Sequence, residues 1–87
     1  MRIYMQRPPS GGESPRFFQL TLQQDLFGGW LLVREWGQLG SRASSKRSMF
    51  LDQERAEAEL EALRAQQSEK GFQVMFTRGA DAPVGYR

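Results

Sequence analysis

Arg34, Trp36, Arg42, Lys46 and Arg47 crowd into one short stretch around two glycines, Gly37 and Gly40. Guanidinium and ammonium groups hold phosphate oxygens through charge-assisted hydrogen bonds. An indole beside them offers a face on which a sugar or base can stack. A Gly-x-x-Gly pair turns the chain tightly and lets backbone amides approach an anion. Gln38 lies between the two glycines and can hydrogen-bond without carrying charge, while Ser44 and Ser45 add hydroxyl groups. The chemistry on offer is binding, not bond-making. The same residues also admit plainer uses. Trp36 can pin a glycine turn as a partly buried core residue, and Lys and Arg on an exposed edge strand discourage aggregation.

The composition points away from catalysis. The chain has no His and no Cys, so the commonest general base, the thiol nucleophile and the usual zinc ligands are all missing. The glutamates Glu54, Glu57, Glu59 and Glu61 fall on or around the polar surface of a predicted helix, where they support the helix and its solubility. The glycine spacing matches neither the dinucleotide fingerprint nor the phosphate loop. A non-enzymatic chain without metal or cofactor is expected.

The elements that must position the basic stretch follow from periodicity. Residues 1–7 alternate with Ile3 and Met5 on one face and Tyr4 on the other. Residues 8–15 are a loop of prolines, glycines and serines. Residues 16–23 alternate again, Phe18, Leu20 and Leu22 inward and Phe17, Gln19 and Thr21 outward. Phe17 is expected to pack against the helix or the tail. Asp25 to Gly29 reads as a hairpin connection.

The third strand, 30–36, carries Leu31, Leu32 and Val33 in succession, the pattern of a strand that is central or covered on both sides. Residues 41–49 form a polar strand with Arg42, Ser44, Lys46 and Ser48 on one face and Arg47 on the other. Asp52 caps one helix, with Leu51 and Ala56 placed to form a hydrophobic staple. Ala56, Leu60 and Leu63 make its apolar stripe, and Gly71 ends it. Residues 72–77 alternate as a last strand. The fold class is α+β: an antiparallel sheet of four to five strands with one helix on one face.

Phe27-Gly28-Gly29-Trp30 and Arg34-Glu35-Trp36-Gly37-Gln38-Leu39-Gly40-Ser41, followed by the basic strand, resemble the WGR domain. The resemblance covers nearly the whole chain and implies the same order of elements. It departs at Gln38, where the signature usually has Arg. In eukaryotes the WGR domain is a nucleic-acid-facing module of the DNA-damage-responsive poly(ADP-ribose) polymerases; in bacteria it occurs as small chains or as an appendage. The resemblance implies that Trp36 packs against a nucleic-acid end. A Gln at 38 keeps hydrogen bonding but loses a charged fork, which weakens any salt-sensitive contact made there.

These expectations combine into one domain over residues 1–77 and a flexible tail over 78–87. Eighty-seven residues bury only about 60–65% of their unfolded surface, so the margin of stability is thin. Residues 1–48 carry seven basic groups against three acidic, and residues 49–87 five against seven, an asymmetry that suits an anionic partner for the first half. No apolar run approaches the roughly 20 residues of a membrane span, and the first residues are too polar for a signal peptide. A cytoplasmic monomer without membrane contact is expected. Its ligand is expected to be nucleic acid, DNA foremost and held through phosphates, at Arg34, Trp36, Gly37, Gln38, Arg42, Lys46 and Arg47. The alternative is a protein-interaction adaptor using Trp36, Phe17, Leu31 and Val33 as an apolar patch. Basic side chains clustered around Trp36 would favour the first, and dispersed ones the second.

Overall fold

Four strands open the chain in the computed structural model, which describes residues 1–9 and 11–78: β1 (Arg2–Arg7), β2 (Arg16–Gln24), β3 (Trp30–Gln38) and β4 (Ser44–Phe50). They form an antiparallel meander. Helix α1 (Gln53–Glu69) runs back along the sheet and delivers β5 (Gln73–Arg78) to the free edge of β1. The strand order is therefore β4-β3-β2-β1-β5, all pairs antiparallel, with one helix on one face. That is the expected α+β class. Residues 79–87, most of the expected flexible tail, lie outside the described residues, and Arg78 belongs to β5.

Period-two alternation makes the core. Ile3 and Met5 on β1, Phe18, Leu20 and Leu22 on β2 and Leu32 on β3 meet Ala56, Leu60 and Leu63 of the helix, with Phe72 closing one end. β3 lies between β2 and β4, and only Leu32 of its apolar trio is buried. Leu31 and Val33 point to the uncovered face and stay half-buried. The Asp52 side chain accepts a hydrogen bond from the Arg55 amide at 2.8 Å, capping the helix as expected. At the other end Gly71, φ +96°, follows the last helical turn; its amide bonds to the Ser68 carbonyl and that of Phe72 to the Gln67 carbonyl, a Schellman closure.

Four local expectations need correction. β3 continues past Trp36 to Gln38, because Phe17 and Arg16 of β2 pair with Gly37 and Gln38. β4 begins at Ser44, three residues late, leaving 39–43 as the connection. The staple from Leu51 is absent: alternation turns Phe50 toward the core and leaves Leu51 94% exposed. Phe17 does not pack on the helix, and the tail expected as its other partner lies mostly outside the described residues. The Phe17 ring lies on the opposite sheet face, stacked on Tyr4 at 6.2 Å between ring centroids, and Tyr4 stacks in turn on Phe76 at 5.5 Å.

Candidate nucleic-acid interface

Alternation carried to the strand ends decides which charges meet. On the helix side of the sheet Phe18 pairs with Trp36 and Leu20 with Arg34, and β4 places Ser44 opposite Trp36 and Lys46 opposite Arg34. The same face of β1 and β2 ends in Arg7 and Arg16, which pair with each other. The helix stops at this end, setting Lys70 and Phe72 over the sheet. A cavity of about 540 Å³ results, lined by Arg7, Arg16, Arg34, Lys46 and Lys70. Trp36, Phe17, Phe18 and Phe72 give it aromatic walls, and Gln66 and Gln67 supply neutral hydrogen-bonding groups. No carboxylate among the described residues lines it.

Each piece has a local cause. Trp36 is half-buried with its indole against the core, so the ring is positioned by packing before any ligand arrives. Gly37 sits at a close approach of two backbone segments: a Cβ there would lie 3.3 Å from the Arg42 carbonyl oxygen and 3.4 Å from the Ala43 Cα. The Arg7 guanidinium sits 5.2 Å from the centre of the Phe72 ring, a cation–π contact that holds it at the rim. The ion pairs among the described residues, Arg55 with Asp52 and Arg64 with Glu61, lie on the helix and use none of the five cavity cations. Like charges directly opposite on a sheet repel. Here Arg7 pairs with Arg16 and Arg34 with Lys46, and no ion pair among the described residues engages any of the four.

Beyond Arg7 and Arg16 the groove continues into a second hollow of about 590 Å³ walled by Pro8, Pro9, Glu13, Ser14 and Gly71. Glu13 is the acidic group lining it, against the two arginines it shares with the first cavity.

Of the residues expected at the site, Arg34, Trp36, Gly37 and Lys46 come together in the cavity. Gln38 ends β3 opposite Arg16, its carbonyl accepting the Ser41 amide at 3.1 Å, and is not among the lining residues. Arg42 is exposed on the 39–43 connection. Arg47 lies opposite Val33 on the other sheet face. Of the residues named for the adaptor alternative, Phe17 lines the cavity with Trp36, whereas Leu31 and Val33 alternate to the opposite sheet face. Arg7, Arg16 and Lys70 were missed. Parity with Met5 and Phe18 would have found the first two; nothing in the sequence places Lys70 over them. Among the described residues no group of His, Cys, Asp and Glu could hold a metal ion, and no helix is long and apolar enough to cross a membrane.

Five antiparallel strands, one helix and a cationic, aromatic-walled end define a small single-helix α+β domain. More particularly, the chain belongs to the WGR domain family, whose model matches residues 1–77. No curated protein and no solved structure gives a significant match.

Proposed function

We propose that the chain is a non-catalytic module that binds DNA in the cavity beside Trp36. The observation that carries this reading is the two pairs of opposed cations, Arg7 with Arg16 and Arg34 with Lys46, gathered with Lys70 around one indole, with no carboxylate among the described lining residues. Such a surface is costly for the free protein and is relieved by a polyanion. The aromatic walls supply stacking, which every base accepts, and the cations meet phosphates, which carry no sequence information. The WGR resemblance implies the same kind of ligand. Recognition is then driven by phosphate and strand structure, not by base sequence. The hollow beyond Arg7 and Arg16 gives a strand somewhere to continue.

The test is fluorescence anisotropy of short single-stranded, blunt-ended and nicked DNA at several salt concentrations. Binding is expected at micromolar protein in low salt. With five cations engaged, the slope of log K against log salt should be about −3.5 to −4.5. Trp36→Leu keeps apolar bulk but removes the stacking face, and should weaken binding about 5- to 150-fold, the equivalent of about 1–3 kcal/mol. An absence of binding to all three DNAs at low salt would sink the reading.

A further inference from the structure

The sheet face turned away from the helix presents three rings side by side, Phe17 on β2, Tyr4 on β1 and Phe76 on β5, across adjacent strands. Tyr4 stacks on both neighbours at interplanar angles of 16° and 21°, so the three rings stand nearly parallel. Each is half-buried, which leaves part of every ring open. Gln6 Nε2 donates to the Tyr4 hydroxyl at 2.9 Å and fixes the central ring. Phe17 also lines the cavity: it pairs with Gly37, and its Cε1 lies 3.5 Å from where a Gly37 Cβ would stand. The row therefore begins at the cavity and leads away from it over the other face.

The charge beside the row is positive. Arg2 and Arg78, both exposed, pair with each other two residues along from Tyr4 and Phe76 and on the same face. No ion pair among the described residues engages either of them. The Met1 ammonium at that end donates to the Leu22 carbonyl at 2.8 Å. Glu35 is the one carboxylate on the five strands, and it lies on β3, three strands from Phe76, where it accepts from Gln19 Nε2 at 3.0 Å. Asp25 lies beyond the strands and is held by the Phe27 and Gly29 amides, while Asp52 and Glu54 start the helix. Arg47 lies off the row, on β4. Opposed arginines repel until an anion joins them. Aromatic rings on an open sheet face take the faces of bases, and glutamine amides meet base edges. Bases inside a duplex are already stacked, so the matching ligand is a single strand. The apolar surface of a protein would have to bury the arginine pair without counter-charge, at a cost.

We propose that the Phe17–Tyr4–Phe76 row and the Arg2–Arg78 pair form a second binding site, for single-stranded nucleic acid, on the sheet face opposite the helix. Apart from Phe17, none of these residues lines the cavity, so the site stands or falls separately from it.

Fluorescence anisotropy of oligothymidylate, oligouridylate and a blunt-ended duplex tests it, the single strands about 12 nucleotides long, within the roughly 4–16 that a small β domain covers. At least one single strand should bind at micromolar protein in low salt, and the tighter of the two identifies the strand as DNA or RNA. Phe76→Leu keeps apolar bulk but removes a stacking face. It should weaken single-strand binding about 5- to 150-fold and leave duplex binding unchanged. The double variant Arg2→Gln, Arg78→Gln changes exposed side chains only, and should lower the single-strand salt slope by about 1.4, about 0.7 for each phosphate contact. No binding of either single strand, or binding that Phe76→Leu and the arginine variant both leave intact, would overturn the proposal. So would ultraviolet cross-links from bound oligothymidylate that map to Trp36 and to none of Tyr4, Phe17 and Phe76. The cavity is read by the response of the duplex to Trp36→Leu, and this site by the response of the single strand to Phe76→Leu, so either can fail alone.

Discussion

Arg34 shows most plainly how the site trades against the fold. Its pairing partner on β2 is the fully buried Leu20, and its partner on β4 is Lys46. A side chain in that position would stabilise the free protein if it were apolar or matched to a carboxylate, and it is neither. Opposed like charges on a sheet cost about 0.2–1 kcal/mol. Arg34→Gln is therefore expected to raise the melting temperature of the ligand-free protein by roughly 2–4 °C, since about 1 kcal/mol moves a domain of this size by about 4–8 °C. The same variant should bind DNA less tightly. Differential scanning calorimetry and anisotropy on one preparation check both halves. A melting temperature that falls would mean that the guanidinium supports the fold and is not held in reserve for an anion. Trp36 is the contrasting case: it packs on the core, so Trp36→Ala loses folding and binding together and cannot apportion them.

At the scale of elements, the C-terminal end of the helix holds the cavity in place. Gly71 is the junction between α1 and β5, and its φ of +96° is one that side chains with a Cβ adopt only under strain. The same residue sits against Arg7, whose Cδ lies 3.4 Å from where a Cβ would be. Gly71→Ala is expected to destabilise by about 1–2 kcal/mol, and Asp52→Ala at the other terminus by about 1 kcal/mol, in urea unfolding. Binding separates the two: only Gly71→Ala should also weaken it, through Arg7, while Asp52→Ala leaves it unchanged. These termini, the core stripe of Ala56, Leu60 and Leu63, and the inward trio of β2 were legible in the sequence, because local propensity and tertiary packing agree there. The end of β3 was not. Gly37 looks like a turn residue, yet strand pairing with Phe17 carries it into the sheet, and the extra pair brings Arg16 level with Gln38. Leu51 misled for the same reason. Its place before the cap suggested a staple, but the parity of β4 had already turned Phe50 inward.

The whole molecule sorts its charges by face and by end, a property no local window reports. Lys70 reaches the cavity only because the helix has the length to return from the tip to the far end of the sheet. Arg47, one residue from Lys46 in sequence, stands on the opposite face among Val33 and Met49 and their neighbours. If long-range attraction by net charge governs DNA binding, Arg16→Gln and Arg47→Gln are equivalent, since each removes one positive charge. If the cavity governs it, they differ. Arg16→Gln should weaken binding and lower the salt slope by about 0.7–0.9, the share of one phosphate contact, whereas Arg47→Gln should leave the slope unchanged. Equal effects from the two would show that DNA meets the chain as a diffuse basic body. Unequal effects would assign binding to the side of the sheet where Arg7, Arg16, Arg34, Lys46 and Lys70 converge, and would explain how a chain of net charge only +2 can concentrate five cations at one end.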